Sequence, residues 1–158
     1  MASVQMLKTG GASTFGELAE KHFDLFATHF GRNGHARVDV VFDQYRDISI
    51  KSGERARRTV SMGLEIKIKT PTTPLPKQWQ KYINNPKNMV NLCEFLCRSW
   101  CEMAEKQLLS GQVLILGGGL RNGEITLLVT TGKTYELSSL RSDHEEADTS
   151  FARSACCT

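Results

Sequence analysis

Two groups of side chains in this sequence have the chemistry to handle a phosphodiester. The first is acidic. Asp43 ends the short apolar run Val38-Asp39-Val40-Val41-Phe42-Asp43, and Glu145, Glu146 and Asp148 lie together in Glu145-Glu146-Ala147-Asp148. On a helix, Glu145 and Asp148 share a face and Glu146 lies beside it. Carboxylates gathered at the ends of strands and helices can hold Mg2+ or Mn2+. Such an ion orients a water, stabilises the leaving oxygen and bridges the phosphate. The plainer alternative for an acid run at a helix start is complementing the helix dipole.

The second group is basic. Arg46, Lys51, Arg55, Arg57 and Arg58 follow Asp43 closely in the chain. Lys51, Arg55 and Arg58 align on one helical face. With Arg46 they form a set suited to gripping a phosphate backbone. A solvated helix face is the competing explanation.

Other chemistries lack their signatures. Thr131-Gly132-Lys133-Thr134 resembles the end of a phosphate-binding loop, but that loop needs a glycine where Leu127 stands, so a hairpin turn is expected. Gly117-Gly118-Gly119 with Gly123 has the wrong spacing for a dinucleotide fingerprint and reads as a turn. His22, His29, His35 and His144 form no zinc pattern. No Gly-x-Ser-x-Gly elbow marks a covalent nucleophile. Cys93, Cys97 and Cys101 fall four apart on one helical face. That spacing disfavours a disulfide and suits small buried side chains.

The elements that must position these groups alternate between helices and short apolar strands. Ser13 or Thr14 can cap a helix over residues 15–30, with an apolar stripe of Phe15, Leu18, Phe23, Leu25, Phe26 and Phe30. Residues 38–43 read as a buried, parallel strand with Asp43 at its carboxyl end, the edge where open α/β sheets bind ligands. Thr59 to Lys69 reads as a strand or an ordered arm. Pro71, Pro74 and Pro76 require an extended segment. Asn88 can cap a second helix running to about Leu109, closed by Gly111. Strands follow at 113–116 and 125–130, and Ser142 or Asp143 can cap a last helix. The alternation predicts an α/β layered fold.

Composition sets outer bounds. The chain has 158 residues, single-domain size, with 40% apolar residues, which argues against disorder throughout. A net charge of +3 is too mild to argue for nucleic acid by itself. No apolar run approaches a membrane span, and residues 1–12 lack the apolar core of a signal peptide. Five cysteines fit a reducing, intracellular setting, nucleus or cytoplasm.

The order of the pieces carries a resemblance. Val-Val-Phe-Asp-x-Tyr-Arg-Asp-x-Ser-Ile-Lys, then Glu-Arg-x-Arg-Arg, then much later His-Glu-Glu-Ala-Asp-Thr, resembles the PIN-like nucleases. The likeness is on the flap-endonuclease and XPG side, toward asteroid-like and transposon-associated animal proteins. It spans residues 1–149, with 150–158 as a divergent tail. It implies a PIN-like three-layer α/β fold with a mostly parallel central sheet. By resemblance, the strand ending at Asp43 matches the second acid-bearing strand. The Lys/Arg segment matches the start of the helical gateway near the scissile phosphate. Glu146-Ala147-Asp148 matches the internal acidic motif.

The resemblance also predicts gaps. Family members carry a metal-binding Asp on the first strand, and its counterpart is expected before Met1. They carry further acids after the acidic motif, expected beyond Thr158, and Ser150 stands where they commonly have Arg. Only Asp43, Glu145 or Glu146, and Asp148 are placed by the match. Two Mg2+ ions about 4 Å apart need several carboxylates, whereas three acids hold one ion weakly. The expectation is a fragment or degenerate relative of a metal-dependent nuclease, acting on DNA or RNA and impaired alone. The alternatives are a non-catalytic nucleic-acid or protein interaction module, or a truncated product without independent function.

Overall fold

The computed structural model describes residues 8–32, 36–42, 65–118, 120 and 125–137. Helix α1 spans Phe15–Arg32 and strand β1 spans Arg37–Val41. A short helix α2, Trp79–Ile83, precedes the long helix α3, Pro86–Gln107. Strands β2 (Val113–Gly117), β3 (Thr126–Thr130) and β4 (Lys133–Glu136) follow.

The start of α1 is satisfied by three sources. Thr14 Oγ1 accepts from Glu17 N, and Glu17 Oε2 accepts from Ser13 N, a variant of the capping box. The proline-rich segment supplies the rest: Thr73 O accepts from Phe15 N and Pro71 O from Gly16 N. The expected extended segment instead turns at its start, where Thr73 N donates to Thr70 O at 3.0 Å, and its backbone lies against the helix end, with Leu75 N donating to Ser13 O at 2.9 Å. Gly16 is what permits this approach. A Cβ there would sit 2.9 Å from Pro71 O and 3.0 Å from Pro71 Cβ.

Helix α3 begins a turn earlier than expected. Asn85 is its cap, with Oδ1 accepting from Lys87 N at 3.0 Å, and Pro86 occupies the first turn, where its missing N–H costs nothing. Asn88, expected as the cap, is instead buried. Its Oδ1 accepts from Ile66 N at 2.8 Å and its Nδ2 donates to Tyr82 O at 3.2 Å. Asn91 Oδ1 accepts from Ile68 N at 2.8 Å. Residues 65–69 are therefore an ordered arm along α3 rather than a strand.

The sheet has the order β1-β2-β3-β4. β1 and β2 are parallel, with Val38 opposite Leu114 and Val40 opposite Leu116. The β2–β3 and β3–β4 pairs are antiparallel. Among the described residues the sheet is therefore mixed, not mostly parallel. Connection length is the reason. The stretch between β1 and β2 contains α2 and α3, long enough for a parallel crossover. Thr131-Gly132 joins β3 to β4 as a tight turn, with Gly132 at φ 73°, and so forces a hairpin. The hairpin expected at this Gly-Lys-Thr run is thus present.

One face of the sheet carries the core. Val38, Val40, Leu114, Leu116, Leu127 and Val129 meet Phe15, Leu18 and Phe23 of α1 and Leu92, Leu96 and Trp100 of α3. Leu25, expected in the α1 stripe, is 65% exposed, because it lies about 100° round the helix from Phe26, outside the face that meets the core. Cys93 and Cys97 are buried free thiols, as their spacing suggested, and Cys101 is half-buried. The described helices and sheet form two layers of an α/β fold. Among the described residues no helix is long and apolar enough to cross a membrane.

Replacing Gly16 by Ala is expected to destabilise the protein. Crowding of a packed position costs about 1–3 kcal/mol, which offsets the gain of about 1 kcal/mol in helix propensity. A lowered thermal midpoint checks this. A second expectation concerns alkali. Burial, then the nearby Cys93 thiol, pushes the Tyr82 phenol well above its ordinary value of 10.0. A raised phenol favours the neutral form in the folded state. Its contribution is complete below pH 10 and lost as pH rises through the folded value. Urea midpoints should therefore drop more between pH 9 and about pH 11 in the wild type than in Tyr82→Phe.

Candidate functional site at the carboxyl edge of the parallel strands

In open α/β sheets, ligands bind beyond the carboxyl ends of the parallel strands. Here that edge is formed by Val41-Phe42 after β1 and Gly117-Gly118 after β2. Phe42 is its anchor. Its N–H donates to Gly117 O at 2.8 Å, extending the ladder past the last paired residues. Its ring is buried and stacks on Trp100 at 5.5 Å between centroids, tilted by 22°.

Trp100 ties this point to both long helices. It belongs to α3, its Nε1 donates to Ala19 O of α1 at 2.9 Å, and Phe26 meets it edge-on at 5.0 Å. The residue preceding Asp43 is thus held by a ladder hydrogen bond and an aromatic stack. Beside it, Gly117 has no side chain. A Cβ there would make only ordinary contacts, 3.7 Å from Thr126 Oγ1 and 3.9 Å from Val41. Gly118 takes φ 76°, in the left-handed region that favours glycine.

Polar groups elsewhere in the described fold are already engaged. Both oxygens of Asp39 accept from the Arg37 guanidinium, at 2.7 and 2.8 Å. The first N–H groups of α1 have the partners described above, so that helix end is no anion site. On α3, Cys97 donates its thiol proton toward Cys101. That bond, then burial, pushes Cys97 far above the ordinary thiol range, and the same bond draws Cys101 down. The Thr134 hydroxyl beside them gives its proton to Glu105 Oε1 at 2.6 Å. Among the described residues, no three His, Cys, Asp or Glu side chains converge to hold a metal ion.

Every residue expected to bind metal or phosphate lies outside the described residues: Asp43, Glu145, Glu146 and Asp148, and Arg46, Lys51, Arg55 and Arg58. The expected last helix and the boundary at 149–150 also lie outside them. Comparison with known family models, with curated proteins and with solved structures finds no match. The PIN-like resemblance stands on its motifs alone.

The sequence reading missed the pieces that hold this edge. In the sequence Trp100 is one member of an apolar stripe with Val90, Leu92, Phe95 and Leu96, a pattern that carries no hint of its bond to Ala19. Asn88 and Asn91 gave a usable signal, two amides three apart facing the alternation Ile66-Lys67-Ile68.

Truncating Phe42 tests the anchor. Phe42→Ala is expected to lower stability by about 3–5 kcal/mol, as for other buried aromatic truncations, and Phe42→Leu by much less. Urea denaturation of both variants measures this. A loss under about 1 kcal/mol for the alanine variant would show that the stack anchors nothing.

Proposed function

We propose that this chain is a degenerate relative of metal-dependent nucleases of the PIN-like class, acting weakly on DNA or RNA phosphodiesters. One observation supports the reading most. β1 is an apolar strand in a parallel pair, and the next residues after it are Phe42, firmly anchored, and Asp43. That is the position from which α/β enzymes present a ligand-binding acid.

In this reading Asp43, Glu145, Glu146 and Asp148 supply the metal ligands. The donor set is all carboxylate oxygen, which suits Mg2+ or Mn2+ rather than a thiol-loving metal. Asp39 does not join it, because Arg37 holds both its oxygens. A bound divalent ion supplies an activated water and neutralises charge on the leaving oxygen. Arg46, Lys51, Arg55 and Arg58 bind and orient the phosphate backbone. Few carboxylates facing a strongly hydrated cation means weak binding and low activity.

The test is cleavage of flap, bubble and single-stranded substrates with Mg2+ or Mn2+. Slow cleavage is expected, reduced more than about tenfold (about 1.4 kcal/mol) by Asp43→Asn or Asp148→Asn. Cleavage that neither substitution changes would overturn the site. Salt-dependent binding with no cleavage would instead make the chain a non-catalytic binding module.

A further inference from the structure

Residues 65–69 form an extended strap whose alternate positions have opposite fates. Ile66 and Ile68 pack against the core, and their N–H groups donate to Asn88 and Asn91 of α3, both at 2.8 Å. The alternation leaves Glu65, Lys67 and Lys69 exposed. Nearby charges are already paired. Lys87 lies 3.5 Å from Glu65, and Arg98 lies 2.8 Å from Glu94. Among the described residues, no carboxylate lies within ion-pair distance of Lys67 or Lys69.

The two ammonium groups therefore leave the same side of a tethered backbone, from positions about 6.6–6.8 Å apart. Ordering a flexible basic segment normally costs binding energy. Here the asparagines have already ordered the backbone, and only the lysine side chains remain to be fixed. The row is narrow and linear, so it fits one strand of phosphates rather than a globular anion.

We propose that Lys67 and Lys69 are a contact for the phosphate backbone of a single nucleic-acid strand, distinct from the basic set at residues 46–58. The choice of nucleic acid as the polyanion rests on the function proposed above. The site needs no metal and performs no chemistry. It holds a strand on the outer side of the arm.

The experiment measures binding of a labelled single-stranded oligonucleotide by the full chain over a series of salt concentrations. Lys67→Gln with Lys69→Gln should make the slope of log affinity against log salt shallower by about 1.4, two charges at about 0.7 each. Lys67→Arg with Lys69→Arg should keep the wild-type slope. Thermal unfolding confirms that the variants fold. A glutamine variant with the wild-type slope, or a wild type that binds no strand, overturns the proposal. The two readings fail separately. Cleavage insensitive to Asp43→Asn, with the lysine slope intact, sinks the nuclease and leaves the strap contact. The converse leaves the nuclease and removes the contact.

Discussion

The packing of this protein converges on the indole of Trp100. This side chain joins α1, α3 and the exit of β1. Its N–H satisfies Ala19 O at 2.9 Å, its edge meets Phe26, and its face carries Phe42. A buried indole demands a hydrogen-bond partner, because an unpaired N–H in the core costs about 1–3 kcal/mol. That demand fixes the rotation of α3 against α1. With α3 fixed, Leu92 and Leu96 face the core formed with Leu114 and Leu116. The position of Phe42, and so of the carboxyl edge, follows.

A second constraint works through amides. Asn88 bonds the strap on one side and Tyr82 O on the other, and Tyr82 lies against Phe15 at 5.5 Å. Phe15 in turn begins α1, whose first N–H groups end on Thr73 O and Pro71 O. The segment from residue 65 to 85 contains only one short helix. It is ordered because its backbone groups find partners on α1 and α3. Buried backbone polar groups must be paired, and here two asparagines do what a strand partner would do in a sheet.

The fold was legible where periodicity was strong. Both long helices and the strands at β1, β2 and β3 lie close to their expected places, since apolar residues recur at the spacing of each element. The start of α3 was misread because Asn88 looked like a cap. Asn85-Pro86, one turn earlier, was the true start and is a recognised pairing of cap and first-turn proline. Strand β4 has no counterpart among the expected strands, which end at residue 130, since Lys133 to Glu136 are exposed and show no alternation. The expected sheet was mostly parallel, but pairing direction depends on how long each connection is and what fills it. The acidic and basic residues of the proposed site were named from their spacing along expected helices and strands and from motif order. What the structure adds there is the anchoring of Phe42.

By itself, the sequence determined which stretches are helix or strand and which faces are apolar. It also placed an acid directly after an apolar stretch that proves to be a half-buried strand. These are local properties, carried by propensity and by spacing over a few residues. Only the tertiary structure decided that the sheet is mixed, that the proline loop caps α1, and that Trp100 reaches across to Ala19. It also turned residues 65–69 from a possible strand into an arm held by Asn88 and Asn91, with Lys67 and Lys69 facing outward. Those outcomes depend on partners 22 to 81 residues away in the chain, as the Asn88–Ile66 and Trp100–Ala19 bonds show. No local pattern encodes which distant group a buried polar atom will meet.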